Sequence, residues 1–257
     1  MGRLLRAQSP AQSVAAVESR HGWWPGASHW EWEVGRLWAA IDPTGFYHGV
    51  KSLVHRDQCF NTVYGQKALL NAEYYFAAGP FPGIDRFVPR ELSAEGLTTS
   101  TPHPDGITVE FPAEPTFGLE LTMRYTMRHD GVDLVVAVTA TQQPLPEFEL
   151  FIASYITEFF GETWAPMSGG AGWENLPNRS PLNHVRVICR DEHAKRMFLD
   201  GRHGDLATED PDDESCTVEE RLFERPILMT RNDQTGLALI QMSDPRLTSS
   251  LTTQCHG

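Results

Sequence analysis

The chain has no Cys-x-x-Cys pair; its four cysteines, Cys59, Cys189, Cys216 and Cys255, are scattered. That spacing supports neither a zinc knuckle nor a dithiol redox motif, and reads as reduced thiols suited to a reducing compartment, with disulfides as the alternative. No apolar run approaches the ~18–20 residues a membrane helix needs. The N-terminal segment has arginines but no continuous apolar stretch, which argues against a secretory signal and for the cytoplasm. Positive charge is scarce too: 21 basic residues stand against 34 acidic ones, a formal net charge of -13. Such a surface repels phosphate backbones and anionic lipid, so neither nucleic acid nor a membrane is an expected partner. The glycine-rich Ser168–Gly172 lacks the Lys-Ser/Thr of a phosphate loop. There is no Gly-x-Ser-x-Gly nucleophile elbow and no convincing metal-ligand cluster. The carboxylate-rich run Asp205–Glu220 lacks the spacing and glycine of a calcium loop and reads as a solvated surface loop. No cofactor and no metal is therefore expected.

What the chain does have is strand texture. It is 257 residues long, 40% hydrophobic and 21% charged, an ordinary globular composition. A chain of this length buries about 70–75% of its unfolded surface and needs no staple. From Leu119 to Arg128, Leu119, Leu121, Met123, Tyr125 and Met127 face one way, and Glu120, Thr122, Arg124, Thr126 and Arg128 the other. Strict period two over such a stretch predicts a half-buried strand. His129-Asp130-Gly131 supplies a turn, and the β-branched run Val132–Thr141 predicts the returning strand of a hairpin. Glu147–Thr157, His184–Arg190 and Leu237–Met242 read as further strands, and Trp30, Trp32 and Val34 alternate with Glu31 and Glu33. After Ile156 the texture changes, and Gly161–Pro181 reads as a long loop. Residues 1–22 read as an arm or short helix, and 23–257 as a single mostly β domain of the sandwich kind.

Phe117–Ile156, FGLELTMRYTMRHDGVDLVVAVTATQQPLPEFELFIASYI, resembles the central part of galactose-mutarotase-like proteins, and Tyr47-His48-Gly49 resembles their His-Gly element. The likeness covers roughly half the chain. It implies a large two-sheet β-supersandwich that binds sugars on a concave face. A closer resemblance is to uncharacterised bacterial proteins with the successive elements HGxxxLVxR, LNxEYYF, FGLE and ASYI. The first runs here from His48 to Arg56, the second from Leu70 to Phe76, and the others are Phe117–Glu120 and Ala153–Ile156. The mutarotase likeness implies that His48 assists proton transfer at the sugar ring oxygen. It places a second histidine where this chain has Ala153, and a general-base glutamate near the C-terminus, whereas no glutamate follows Arg225. The final segment LTSSLTTQCHG does not read as a closing strand, so the chain reads as a shortened member of the superfamily.

Several residues are candidates for chemistry. Alternation puts Glu120 and Arg124 on one face of the hairpin, where a carboxylate beside a guanidinium stays ionised and serves as base or acceptor; a cross-strand ion pair is the alternative. His48 is the candidate acid, and seven residues of straight strand would point His55 to the other face. Arg56 suits a bidentate clamp on a hydroxyl or carboxylate. Glu73, Tyr74 and Tyr75 cluster charge and aromatic surface, and Tyr155 sits beside the position that carries histidine in mutarotases. His48, Glu120 and Tyr155 are thus the expected catalytic residues, with Arg56, Tyr74 and Arg124 expected to bind substrate. The expected function is a carbohydrate-active protein that binds or acts on a sugar or glycan by epimerase, lyase or hydrolase chemistry. A non-catalytic sugar-binding module and a degenerate structural member remain the alternatives. Missing closing strands would leave an open sheet edge and favour a homodimer.

Overall fold

The structure, a computed structural model, describes residues 3–5, 29–58, 60–77, 86–87, 89–113, 118–140, 148–170, 172–176, 185–199 and 216–254. The protein is mostly β, with two short helices among the described residues. No helix there is long and apolar enough to cross a membrane. The chain divides into two compact units, one comprising Met1–Ala77 and Phe81–Thr157, the other Ala78–Pro80 and Glu158–Gly257. The change of texture after Ile156 coincides with this division.

The first unit contains β1 (Arg3–Leu5), β2 (Trp30–Val34), β3 (Leu37–Asp42), β4 (Gly49–His55), β5 (Asn71–Ala77) and β6 (Arg86–Phe87). It continues with α1 (Pro89–Ala94), β7 (Thr99–His103), β8 (Gly106–Phe111), β9 (Leu119–Met127), β10 (Val132–Ala140) and β11 (Phe148–Ala153). They form three antiparallel sheets, ordered β1-β2-β3-β4, β10-β9-β8-β7 and β11-β5-β6. The β9–β10 hairpin follows the expected alternation: Leu119, Leu121, Met123, Tyr125 and Met127 are buried, and the residues between them are not. The Arg128 N–H donates to the Gly131 carbonyl at 2.8 Å to close the turn. All six residues of β3, Leu37-Trp38-Ala39-Ala40-Ile41-Asp42, are buried, so this strand is covered on both faces. Polar contacts tie the sheets together. The Trp32 indole donates to the His103 carbonyl at 3.3 Å, and the Tyr125 hydroxyl donates to the Leu70 carbonyl at 2.8 Å.

Two of these strands carry bulges. In the β3–β4 ladder Ala40 pairs with Ser52 but Ile41 pairs with Val50, which leaves Lys51 as the extra residue. In the β11–β5 ladder Phe151 pairs with Tyr74 but Ile152 pairs with Ala72, which leaves Glu73 as the extra residue. A bulge breaks the strict alternation of side chains and re-aims the one at the irregularity.

The second unit contains β12 (Glu162–Pro166), β13 (Trp173–Leu176), β14 (Val185–Cys189), α2 (Glu192–Leu199), β15 (Cys216–Val218), β16 (Ile227–Asn232), β17 (Leu237–Met242) and β18 (Ser250–Gln254). Its sheets are ordered β13-β12-β16-β17 and β15-β14-β18, with β14 and β15 parallel. Ala165, Met167, Leu176, Ile188, Phe223 and Leu251 form its core. Asp191 caps α2, accepting from the Ala194 N–H at 2.9 Å.

Three expectations need correction. The expected loop Gly161–Pro181 holds the β12–β13 hairpin: Thr163, Ala165 and Leu176 bury their side chains, and the glycine-rich residues are confined to its turn. The C-terminal segment does supply a strand, because β18 pairs along the whole of β14 with Leu251 buried. Threonine is β-branched and suits such a strand despite its polarity. The third expected strand, Glu147–Thr157, ends at Ala153, where the backbone leaves β5 to hydrogen-bond elsewhere. The stretch expected to be helical near the N-terminus and most of the acidic run lie outside the described residues.

Candidate functional site

Three segments of the first unit meet around Tyr155. The Tyr64 N–H donates to the Tyr155 carbonyl at 2.9 Å, and the Tyr155 N–H donates to the Ala68 carbonyl at 3.0 Å. These bonds pin Tyr155 beside the turn that carries Lys67. The Val50 and Leu69 amides exchange hydrogen bonds with each other's carbonyls at 3.0 and 2.9 Å, which joins that turn to β4. Gly49 has φ near 111°, and a Cβ there would lie 2.7 Å from the Leu69 carbonyl oxygen. Only glycine permits so close an approach in that conformation. Leu70, immediately before β5, is also held left-handed, with φ near 55°. Its N–H donates to the Ser154 hydroxyl at 3.1 Å and its carbonyl accepts from Tyr125. A bulky residue held so is strained by about 1–3 kcal/mol, which the surrounding bonds offset.

This framework sets a tyrosine on a buried carboxylate. The Tyr155 phenol donates to Glu73 Oε1 at 2.5 Å, and the Asn71 amide donates to the same oxygen at 3.4 Å. Glu73 is buried, as are its neighbours Asn71 and Ala72, and it stands at the bulge of β5. Over the Tyr155 ring stands the Lys67 ammonium, 4.3 Å from the centroid. The same ammonium lies 5.9 Å from the Tyr47 ring and 5.8 Å from the Tyr64 ring. Tyr47 meets Tyr155 edge-on, with centroids 5.4 Å apart. A cation over ring faces is held by their quadrupoles.

Beside Tyr47 lies a second lysine. Lys51 Nζ is 5.8 Å from the Tyr47 ring and donates to the Gln66 carbonyl at 2.8 Å. Burial lowers its pKa to about 8, against the opposing pull of Asp42. Burial likewise pushes the Asp42 carboxyl above its ordinary value, although the Thr44 N–H and hydroxyl, each at 2.9 Å, act the other way.

His48 is fully buried next to this cluster. Its Nε2 accepts from the Ala72 N–H at 3.2 Å, and its ring meets Phe111 edge-on at 4.9 Å. The structure thus brings His48 and Tyr155 to adjacent residues of β5, Ala72 and Glu73. The other candidates lie elsewhere. Glu120 is exposed on the outer face of β9, opposite in direction to Tyr125. Arg124 shares that face but binds Asp105, at 2.5 Å, and the Tyr125 carbonyl, at 2.9 Å. Arg56 is exposed and paired with Glu33. Tyr74 lies in β5 opposite Phe151, and its side chain is outside the described residues.

Lys67, Lys51, Tyr64 and Asp42 were not expected at a site. One signal was available in the sequence: the chain has three lysines, Lys51, Lys67 and Lys195, among 21 basic residues, and two of them stand at Tyr47. Among the described residues no group of three or more histidine, cysteine, aspartate or glutamate side chains is arranged to hold a metal ion. Fold and site together define a mostly β protein with a tyrosine–carboxylate pair set under a lysine. No family model matches the chain, and neither a curated protein nor a solved structure matches it.

Proposed function

We propose that this chain is a carbohydrate-active protein of the galactose-mutarotase-like kind, which binds a sugar or glycan at Tyr155 and Glu73 and acts on it by acid/base chemistry. The observation that carries this reading is the 2.5 Å hydrogen bond to a buried carboxylate from the phenol of Tyr155, whose ring lies under a lysine. A phenol on a carboxylate is a proton donor and acceptor poised for relay to a hydroxyl or ring oxygen. The rings of Tyr47, Tyr64 and Tyr155 offer the apolar surface on which sugar rings stack. The resemblance around His48 and Phe117–Ile156 supplies the sugar as substrate class. The antiparallel sheets β1–β4 and β7–β10 are compatible with the two-sheet supersandwich that forms part of the same reading.

A non-catalytic sugar-binding module is the second reading, favoured by one observation. Nε2 of His48 accepts a backbone N–H, so that nitrogen is engaged in the fold and is not a proton donor. Calorimetric titration with a panel of mono- and oligosaccharides, together with polarimetric and reducing-end assays, separates the two. We expect Tyr155→Phe and Glu73→Gln to lower turnover of a bound sugar at least about 100-fold while weakening binding less, in the range of lost general acid–base catalysis. Binding without turnover in the unsubstituted protein supports the module. No binding of any sugar by protein that unfolds cooperatively overturns both readings.

A further inference from the structure

The lysines at Tyr47 ask for a physical reason. The chain has 21 basic residues, yet lysine occurs only at positions 51, 67 and 195. Arginine serves nearly everywhere else, so two lysines at one ring are not ordinary surface charge. The protein's net charge of -13 also makes an aspartate or glutamate partner easy to supply. Yet the Lys67 ammonium has no hydrogen-bond acceptor and no carboxylate partner among the described residues; it meets the rings of Tyr47, Tyr64 and Tyr155. Rings compensate part of an ammonium's lost hydration but leave all three N–H donors unused. Lys51 spends one donor on the Gln66 carbonyl and keeps two. The buried carboxylate of the site, Glu73, accepts from Tyr155 and Asn71.

A half-buried ammonium with free donors, walled by aromatic rings, recognises an anionic group on a molecule with a stackable face. We propose that Lys67, supported by Lys51 across Tyr47, receives the anionic substituent of an acidic sugar, a carboxylate or a phosphate ester, whose ring lies on the tyrosines. This inference rests on the sugar reading above and narrows it from sugars in general to charged ones. Lys51 is fixed in place because it occupies the β4 bulge and is tied to Gln66. Lys67 is fixed by its turn, in which its N–H donates to the Tyr64 carbonyl at 3.1 Å.

The test is calorimetric titration of the full chain with D-glucuronate, glucose 6-phosphate and D-glucose at pH 7 and constant ionic strength. Inorganic phosphate and acetate serve as controls. At least one acidic sugar is expected to bind tenfold or more tightly than glucose and than the free anions. Which of the two binds assigns carboxylate or phosphate. Lys67→Met is expected to reduce the preference for the acidic sugar at least tenfold, and Lys67→Arg to retain most of it. Raising the salt concentration is expected to weaken the acidic sugar alone. Should Lys67→Met fail to fold, the comparison of ligands on the unsubstituted protein and on Lys67→Arg still decides. Equal affinity for glucose and both acidic sugars overturns the inference and leaves the sugar reading standing. Binding of phosphate or acetate as tight as that of the sugars also overturns it, since the rings would then contribute nothing.

Discussion

At the residue scale, the site is built by side chains placed where they cost stability. Lys51 is the clearest case. An ammonium taken partly out of water is disfavoured in its charged form, so its proton is lost near pH 8 in the folded protein against about 10.5 in the unfolded chain. Between those two values the unfolded state binds more protons, and stability rises with pH. The contribution is complete above the unfolded value and is lost as pH falls through about 8. Comparing the native protein with Lys51→Met by thermal unfolding, we expect the native protein to gain relative to the variant between pH 8 and pH 10. A difference that stays flat across that range would remove the argument. Asp42 has the opposite dependence. Its raised carboxyl favours the folded state most below the ordinary aspartate pKa, and that benefit disappears as pH rises through the folded value.

Among the elements, β9 shows how a periodic pattern becomes energy. Met123 is wholly buried between Leu121 and Tyr125, whereas Thr122 lies on the partly solvated face. Met123→Ala should cost about 2–5 kcal/mol through lost burial and a residual cavity. Thr122→Ala should stay within roughly 1 kcal/mol, in keeping with the modest spread of strand propensities. Urea unfolding of both variants checks the contrast, and similar midpoints would mean that β9 is not packed as described. The bulges in β4 and β5 work differently, because they exchange regular pairing for direction. In β5 the register step falls at Glu73, the residue that meets the tyrosine of the next segment.

On the scale of the whole molecule, each of the two compact units has an interior of its own. One lies among strands β2 to β9 and includes Trp32, Ile41, Leu121 and Met123; the other is the Met167–Phe223–Leu251 cluster. All the side chains assembled around Tyr155 belong to the first unit. Met167→Ala should therefore weaken amide protection in β12, β14 and β18, by an amount that corresponds to about 2–5 kcal/mol. It should leave sugar affinity at Tyr155 in place. Hydrogen exchange read by mass spectrometry follows both units in one sample. Protection lost equally from β9 and β14 would show that the two interiors open together.

Local order was legible in the sequence because it is a property of neighbours. The alternation from Leu119 to Met127 determined a strand with a buried face, the turn after it and the returning partner, since a side-chain period of two has one low-energy solution. The acidic balance is likewise read directly from composition. The site did not. Glu73 and Tyr155 are separated by 82 positions, and neither is distinctive alone. What joins them is a register step between β5 and β11, a glycine at position 49 that lets Leu69 approach, and backbone bonds from Tyr64 and Ala68. The β18 strand was hidden for a related reason: its polar residues become a strand because β14 offers a complete row of backbone partners. A sequence by itself determines which faces want to be buried. Which charged side chains are then carried inward, and onto what, is decided only when distant strands choose their register.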